Sequence, residues 1–430
     1  MLLKKNFQNN IYIKGFLQIF SSQGLSQFLL FLSLLILGAL YKPSDFGIYG
    51  AISSVTIFFI TVSGLSLEMS LLNAPGPQKA SEILLTCFFT NSLISCLTII
   101  IAAALINFNV FNLASLPMYL PIVIGLLVFS GGTYQALRFR LLYDKKFYDA
   151  SIALISQSAG RSIFPILFFL YLTNYLGLML GELVGRLFGI YKGLTIYWKE
   201  LLDIINTKGL ISTVRETIQE NKKFPTFFLP ISIIDSLGIM LIAPLILYFY
   251  SEEEAGLFYF GNIILISPSI VLGNALGDIL HVKFAELVRE KSAELFLYFI
   301  KISIFIAFIS LTLFTIIVLV FDMFIVQLLS PDWINISLIV KYLAPYGAIG
   351  LVVTCFSRLL SILVRPGIKI FSDLSKFFFI PFWIIYAGFS DLTFLSCMKV
   401  LGVTLGTIYL IYYLLILLSI YKQSNLYKND

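Results

Sequence analysis

Long continuous apolar runs separated by short polar stretches set the pattern of this 430-residue chain. Twelve runs reach or approach the roughly 20 residues that a helix needs to cross the hydrocarbon layer. In the first half they cover about 14–40, 47–72, 83–106, 117–139, 150–172 and 176–197; in the second, about 224–250, 256–280, 299–321, 337–360, 374–389 and 395–420. Apolar positions follow one another instead of alternating, which excludes a closed β-barrel and predicts helices. The first run follows Lys4 and Lys5 but has no small-residue cleavage site, so a retained helix is expected. Residues 198–223 mix apolar and charged positions at helical spacing and predict an amphipathic helix on the inner surface, broken near Gly209. A shorter stretch at 281–298 reads the same way.

Composition moves this from a long helical protein to a membrane one. The chain is 59% hydrophobic and 12% charged, against about 45–50% and about 25% in soluble domains. No single core could bury that apolar surface, so the bilayer is its solvent. Cys87, Cys96, Cys355 and Cys397 lie in or beside apolar runs without a Cys-x-x-Cys pair, so neither a disulfide framework nor a metal site is expected.

Two short stretches resemble each other at an offset of roughly half the chain. Residues 41–49 (YKPSDFGIY) and 250–258 (YSEEEAGLF) each begin with a Tyr that ends an apolar run. Each then has a polar tetrapeptide and reaches a Gly, Gly47 or Gly256, before a new run. Arg140-Leu141-Leu142 and Arg358-Leu359-Leu360 likewise end the fourth run of each half. A repeat on this scale predicts one six-helix bundle duplicated and fused. The expected domains are therefore an N-terminal bundle at 1–197, a cytoplasmic amphipathic linker at 198–223 and a C-terminal bundle at 224–430.

With the N-terminus placed inside, 24 of the 29 Lys and Arg fall in inner segments, while the short outer loops carry acids such as Asp45, Glu252–Glu254 and Asp332. The positive-inside rule then gives twelve spans, both termini cytoplasmic, and parallel halves related by an axis along the membrane normal. The same distribution accounts for the net charge of +6. Basic residues spread over inner loops face anionic lipid, whereas a nucleic-acid binder would gather them on one soluble face.

Charges inside the runs are the candidates for function, since ionisable groups there are costly and usually face a bundle interior or a wet cavity. Arg161 lies near the middle of the fifth run, Glu182 and Arg186 in the sixth, and Asp235 near the middle of the seventh. Guanidiniums keep their proton and present a donor fork suited to phosphate oxygens, so Arg161 and Arg186 are candidate ligands of a diphosphate. The alternative is structural pairing, and Glu182 stands four residues before Arg186 on one helix face. Asp235 either neutralises Arg161 across helices or is, like Glu182, a cavity acid that couples an ion. Glu68 and Asp278, near the inner ends of the second and eighth runs, read as interfacial acids or as cytoplasmic gate contacts. Gly177, Gly181, Gly185 and Gly189 form a small-residue ridge where another backbone can approach. Pro165, Pro230 and Pro244 sit inside runs, where they can kink helices.

Enzymatic signals are sparse: one His, His281, no metal-ligand cluster, no nucleophile elbow and no phosphate-cradling loop. No catalytic residue, cofactor or metal is expected.

The turn Pro43-Ser44-Asp45-Phe46-Gly47-Ile48-Tyr49, after a first run ending Leu-Gly-Ala-Leu, resembles the start of Wzx-type polysaccharide flippases of the multidrug/oligosaccharidyl-lipid/polysaccharide exporter superfamily. Glu254-Ala255-Gly256-Leu257-Phe258 resembles the second-half turn of that family, Leu142-Tyr143-Asp144-Lys145-Lys146-Phe147 its loop between helices four and five, and Ser330-Pro331-Asp332-Trp333 its outer loop between helices nine and ten. The resemblance implies an all-α protein with about twelve spans in two six-helix halves around a central V-shaped cavity. It implies a monomer in the bacterial inner membrane, moving polyprenyl-diphosphate-linked oligosaccharide to the periplasmic leaflet by alternating access, for O-antigen or capsule synthesis. Membrane lipids, a polysaccharide polymerase and a chain-length regulator are the partners it implies, with Arg161 and Arg186 at the anionic head group. Lipid II flippases of the superfamily carry arginines in the first two helices, and the first run here has none, which disfavours a peptidoglycan precursor. A cation-coupled multidrug exporter of the same superfamily is the alternative. A membrane-embedded polymerase, which would want a large basic outer loop, fits less well.

Overall fold

The computed structural model describes residues 11–108, 116–292, 294–363 and 365–429, and among these every regular element is helical. Each expected run becomes a helix because a backbone surrounded by lipid must satisfy its own polar groups, which a helix does within the segment. The first half contains α1 (Ile11–Leu40), α2 (Pro43–Ser63), α3 (Pro77–Asn107), α4 (Leu120–Tyr143), α5 (Phe147–Phe169), α6 (Tyr175–Lys208) and the short α7 (Leu210–Glu220). Then come α8 (Leu229–Met240), α9 (Ile242–Phe249), α10 (Glu252–Arg289), α11 (Leu295–Val320), α12 (Ile336–Ser357), α13 (Pro366–Phe389) and α14 (Phe394–Asn429).

Ten of the described helical segments, the composite Phe224–Phe249 among them, are long and apolar enough to cross a membrane. The sixth and eleventh expected spans, α6 and α13, are helices of 34 and 24 residues outside that set. They concentrate charge within their length: Glu182, Arg186 and Lys192 in one, Lys369, Asp373 and Lys376 in the other. Large apolar side chains elsewhere face outward, such as Ile304, Phe305, Phe308 and Leu311 of α11, as expected where lipid is the solvent.

The chain forms two compact units. One holds the chain up to Tyr41 together with Ala51–Ser236; the other holds Lys42–Gly50 together with Leu237 onward. Within the first, α1 packs on α5, α5 on α6, α3 on α4, and α4 on α6. Within the second, α9 packs on α13, α13 on α14, α11 on α12, and α12 on α14. Counted by run, the pairs 1–5, 5–6, 3–4 and 4–6 recur as 7–11, 11–12, 9–10 and 10–12. The repeat read from two short turns is thus a repeat of helix pairing.

Those two turns meet each other inside the second unit. A methyl group on Gly47 would collide with the Glu252 carbonyl, and one on Gly256 would collide with the Pro43 carbonyl. Pro43 and Glu252 are related by the same 209-residue offset as the glycines, so the contact is reciprocal. The turns use opposite halves of a capping box: the Lys42 amide donates forward to Asp45 Oδ2, whereas the Glu254 amide donates back to Ser251 Oγ at 3.1 Å. Phe46, Phe260 and Trp333 close over them with ring centroids 4.5–5.5 Å apart.

Four boundaries differ from the hydropathy pattern, each for a local reason. The second run ends at Ser63, because Leu65 and Ser66 adopt φ of 52° and 58° and lead into a 3-10 turn, Leu67–Asn73. In that turn Leu67 and Leu71 are fully buried in an apolar cluster with Leu84, Leu137 and Tyr197. The sixth run continues without a break to Lys208 and stops at Gly209, whose φ of 79° suits glycine. The eighth run extends to Arg289, taking up part of the stretch expected to lie on the surface. The seventh opens on a π-helical turn, Phe224–Phe228, just before Pro230, and is interrupted at Leu241, three residues before Pro244. Proline removes a helical donor and crowds the carbonyl four residues back, which explains both irregularities.

Candidate functional site

The intramembrane charges of the first unit converge because α5 and α6 touch backbone to backbone. A methyl on Gly160 would lie 2.7 Å from Gly185 Cα, one on Gly185 would collide with the Arg161 amide nitrogen, and one on Gly181 with Pro165. The glycine ridge is therefore a packing surface. Arg161 lies about 12 Å from the end of α5, and Glu182 and Arg186 lie about 10 and 16 Å from the start of α6, at 1.5 Å per residue. The short link 170–174 joins those two ends, so the three charges lie at a similar depth below it.

At that depth Glu182 holds both arginines. Its Oε1 accepts from Arg186 Nη2 at 2.6 Å and Nε at 3.1 Å, and lies 3.1 Å from Arg161 Nη2. Glu182 and Arg186 are buried, whereas the Arg161 side chain is 32% exposed. Arg186 Nη1 fits against Gly131 of α4, where a methyl would collide with it. The three side chains together carry one net positive charge, and Arg161 is the member that an incoming group could reach. A guanidinium so placed suits an anion with several oxygens.

Of the other sequence candidates, Asp235 is half-buried on α8. Glu68 is 4% exposed, in the 3-10 turn after α2, and accepts from Gln135 Nε2 at 3.3 Å. Burial pushes its carboxyl up to about 7 from the usual carboxylate range. The Asp278 side chain lies outside the described residues.

Two charge clusters were missed by sequence reasoning. Lys376, counted with the inner loops, is 6% exposed within α13, pairs with Asp373 at 2.7 Å and stands over the Tyr409 ring. The i, i+3 spacing of the pair was the available signal. Arg140, noted only as a repeat marker, is 1% exposed and pairs with Asp144 and with Glu200 at 3.2 Å, while Tyr197 donates to Asp144 at 2.7 Å. With Lys208–Glu82 at 2.5 Å and Lys79–Glu220 at 2.8 Å, this network ties α3, α4, α6 and α7 together.

These features define a polytopic helical protein built as two similarly paired bundles. A MATE protein solved in complex with MaD3S matches it with a TM-score of 0.55 over 96% of this chain and 97% of that one, at 11% identity. A likeness at that identity shows the fold alone, that of the MATE protein. The chain belongs to the polysaccharide biosynthesis protein family, whose pattern matches residues 36–338. No curated protein matches it.

Proposed function

We propose that this protein is a flippase for polyprenyl-diphosphate-linked oligosaccharide, moving the unit from the cytoplasmic to the periplasmic leaflet of a bacterial inner membrane by alternating access. The observation that carries this reading is the Arg161–Glu182–Arg186 triad: two guanidiniums converge on one carboxylate within the helical bundle, and the Arg161 side chain is 32% exposed. The diphosphate of such a cargo is charged and must cross a region that repels ions. Arg161 receives it, Arg186 adds a second fork, and Glu182 limits how tightly the group is held, so that it can also leave. Membership of a polysaccharide biosynthesis family supports a glycan cargo. Basic inner segments support cytoplasmic termini.

A multidrug exporter shares the fold, but a cationic pole repels the cationic compounds that such a transporter would carry. The test is complementation of a deletion strain, scored for surface polysaccharide and for the leaflet that holds the lipid-linked units. Arg161→Ala should reach the membrane at the wild-type level, lose surface polysaccharide, and leave completed units on the cytoplasmic leaflet. Wild-type polysaccharide from a normally expressed Arg161→Ala protein would overturn the assignment.

A further inference from the structure

The intramembrane acid Glu182 is paired with two guanidiniums. Glu68 stands in the opposite situation. The chain leaves α2 through two consecutive left-handed residues, Leu65 and Ser66, a conformation that disfavours residues with a Cβ. That bend folds the Glu68 side chain back over Gly64, where a methyl would collide with Glu68 Oε2. Oε1 accepts from the Gln135 amide, but Oε2 is buried with no hydrogen-bond partner.

One helical turn away the pattern repeats. Asn91 of α3 is fully buried, with neither its amide nitrogen nor its amide oxygen partnered, and Thr133 Oγ1 of α4 is unpartnered as well. Ser63 Oγ and Asn91 Oδ1 both crowd the place that a methyl on Gly132 would take. Ser63 and Gly64 precede Glu68 on the bend, Gly132 and Gln135 share α4, and Cys87, in electrostatic reach of Glu68, stands one turn before Asn91 on α3. The two layers therefore make one continuous polar seam between α2, α3 and α4.

The charged groups on the elements packed around the turn are engaged elsewhere. On α3, Lys79 pairs with Glu82 and Glu220, and Glu82 also with Lys208. On α4, Arg140 pairs with Asp144 and Glu200, while Arg138 and Tyr134 lie beyond Gln135. The π-helical turn Phe224–Phe228, preceded by Lys222 and Lys223, contributes no charged residue of its own. Among the described residues no cation comes within ion-pair distance of Glu68. With one side-chain donor, one backbone hydrogen bond and no cation beside it, a carboxylate buried this deeply is costly, and binding a proton is the cheapest way to neutralise it.

We propose that Glu68, with the Asn91 and Gln135 amides, is a proton-binding site of the first unit, loaded from and released to water on the cytoplasmic side. Loading forms an O–H bond on Oε2 at the expense of a hydronium ion, and release returns the proton to water. The Gln135 amide carries both a donor and an acceptor, so it can serve the neutral acid and the carboxylate, and the Asn91 amide adds unengaged polar capacity one turn away. This inference rests on the transport reading only for the purpose of the proton, which would supply the driving force that a chain without a nucleotide-binding loop must take from elsewhere.

The test is an infrared titration of the full chain in nanodiscs, following the carbonyl stretch of protonated carboxyl groups from about pH 5 to about pH 9, in potassium and then in sodium buffer. A band that disappears with a midpoint near neutrality, is absent in Glu68→Gln, and has the same midpoint in both salts is expected. A band unchanged in Glu68→Gln, no titration in this range, or a midpoint that falls in sodium would overturn the proposal; the last outcome would make the occupant a metal cation. The neutral amide copies the shape of the protonated acid, and size-exclusion behaviour verifies that the variant is folded. Because this measurement reads the proton and not the cargo, failure of the flippase assignment would leave its outcome standing.

Discussion

Arg161 and Arg186 meet one carboxylate because the residues opposite them are small. Gly185 is the position where this is least negotiable, since a methyl there would collide with the Arg161 backbone. Gly185→Ala should separate α5 from α6 and cost about 1–3 kcal/mol, as overpacking does. Thermal unfolding in detergent should show the loss, with transport falling further than stability. Glu68 gives a pH-dependent signature. Its folded carboxyl lies at about 7 against a usual 4.5, so its neutral form is favoured by folding. Stability from this group is fully present below about pH 4.5, falls as pH rises, and is lost above about pH 7, by a few kcal/mol at most. Glu68→Gln should lack that fall, so its melting temperature should overtake the wild type's between about pH 5 and about pH 8. The charges themselves were legible in the sequence, because ionisable residues stand out in apolar runs. The Glu182–Arg186 pair was legible as well, from its i, i+4 spacing; the pairing of Arg161 with Glu182 was not, since they are 21 residues apart in the chain and the glycine contact brings them together. The orphaned amide of Asn91 left no sequence signal at all.

At the scale of elements, hydropathy located all twelve helices but not their ends. Apolar residues continue past Ser63 although the helix does not, because the left-handed bend is driven by tertiary burial of Leu67 and Leu71 and not by local chemistry. Gly209 is the opposite case: a glycine inside a polar stretch, read as a break and found as one, with φ of 79°. Gly209→Ala should cost about 1–3 kcal/mol, the usual strain of such backbone on a residue with a Cβ. Limited proteolysis should then open the link between α6 and α7 faster than in the wild type. The reciprocal glycines Gly47 and Gly256 show what the repeated turns are for. Either alanine substitution drives a methyl into a carbonyl of the other turn, and the two should destabilise by similar amounts in thermal unfolding, with the double variant less than additive because they strain one contact.

For the whole molecule, composition settled the solvent, and the two turns together with the arginine markers indicated duplication. The repeated helix pairing explains why so little sequence similarity was needed to preserve it: packing of apolar helices tolerates exchange among side chains of similar volume, whereas the tight turns do not. Function at this scale reduces to one claim, that an interior positive pole carries an anionic lipid-linked glycan across. The direct measurement is translocation of a polyprenyl-diphosphate oligosaccharide in liposomes containing the purified protein, read by the accessibility of its sugar to an external glycan-oxidising reagent. The wild type should move the unit well above the rate of protein-free liposomes, and Arg161→Ala should fall back to that background. Equal rates in the two proteins, or no rate above background for the wild type, would contradict the account.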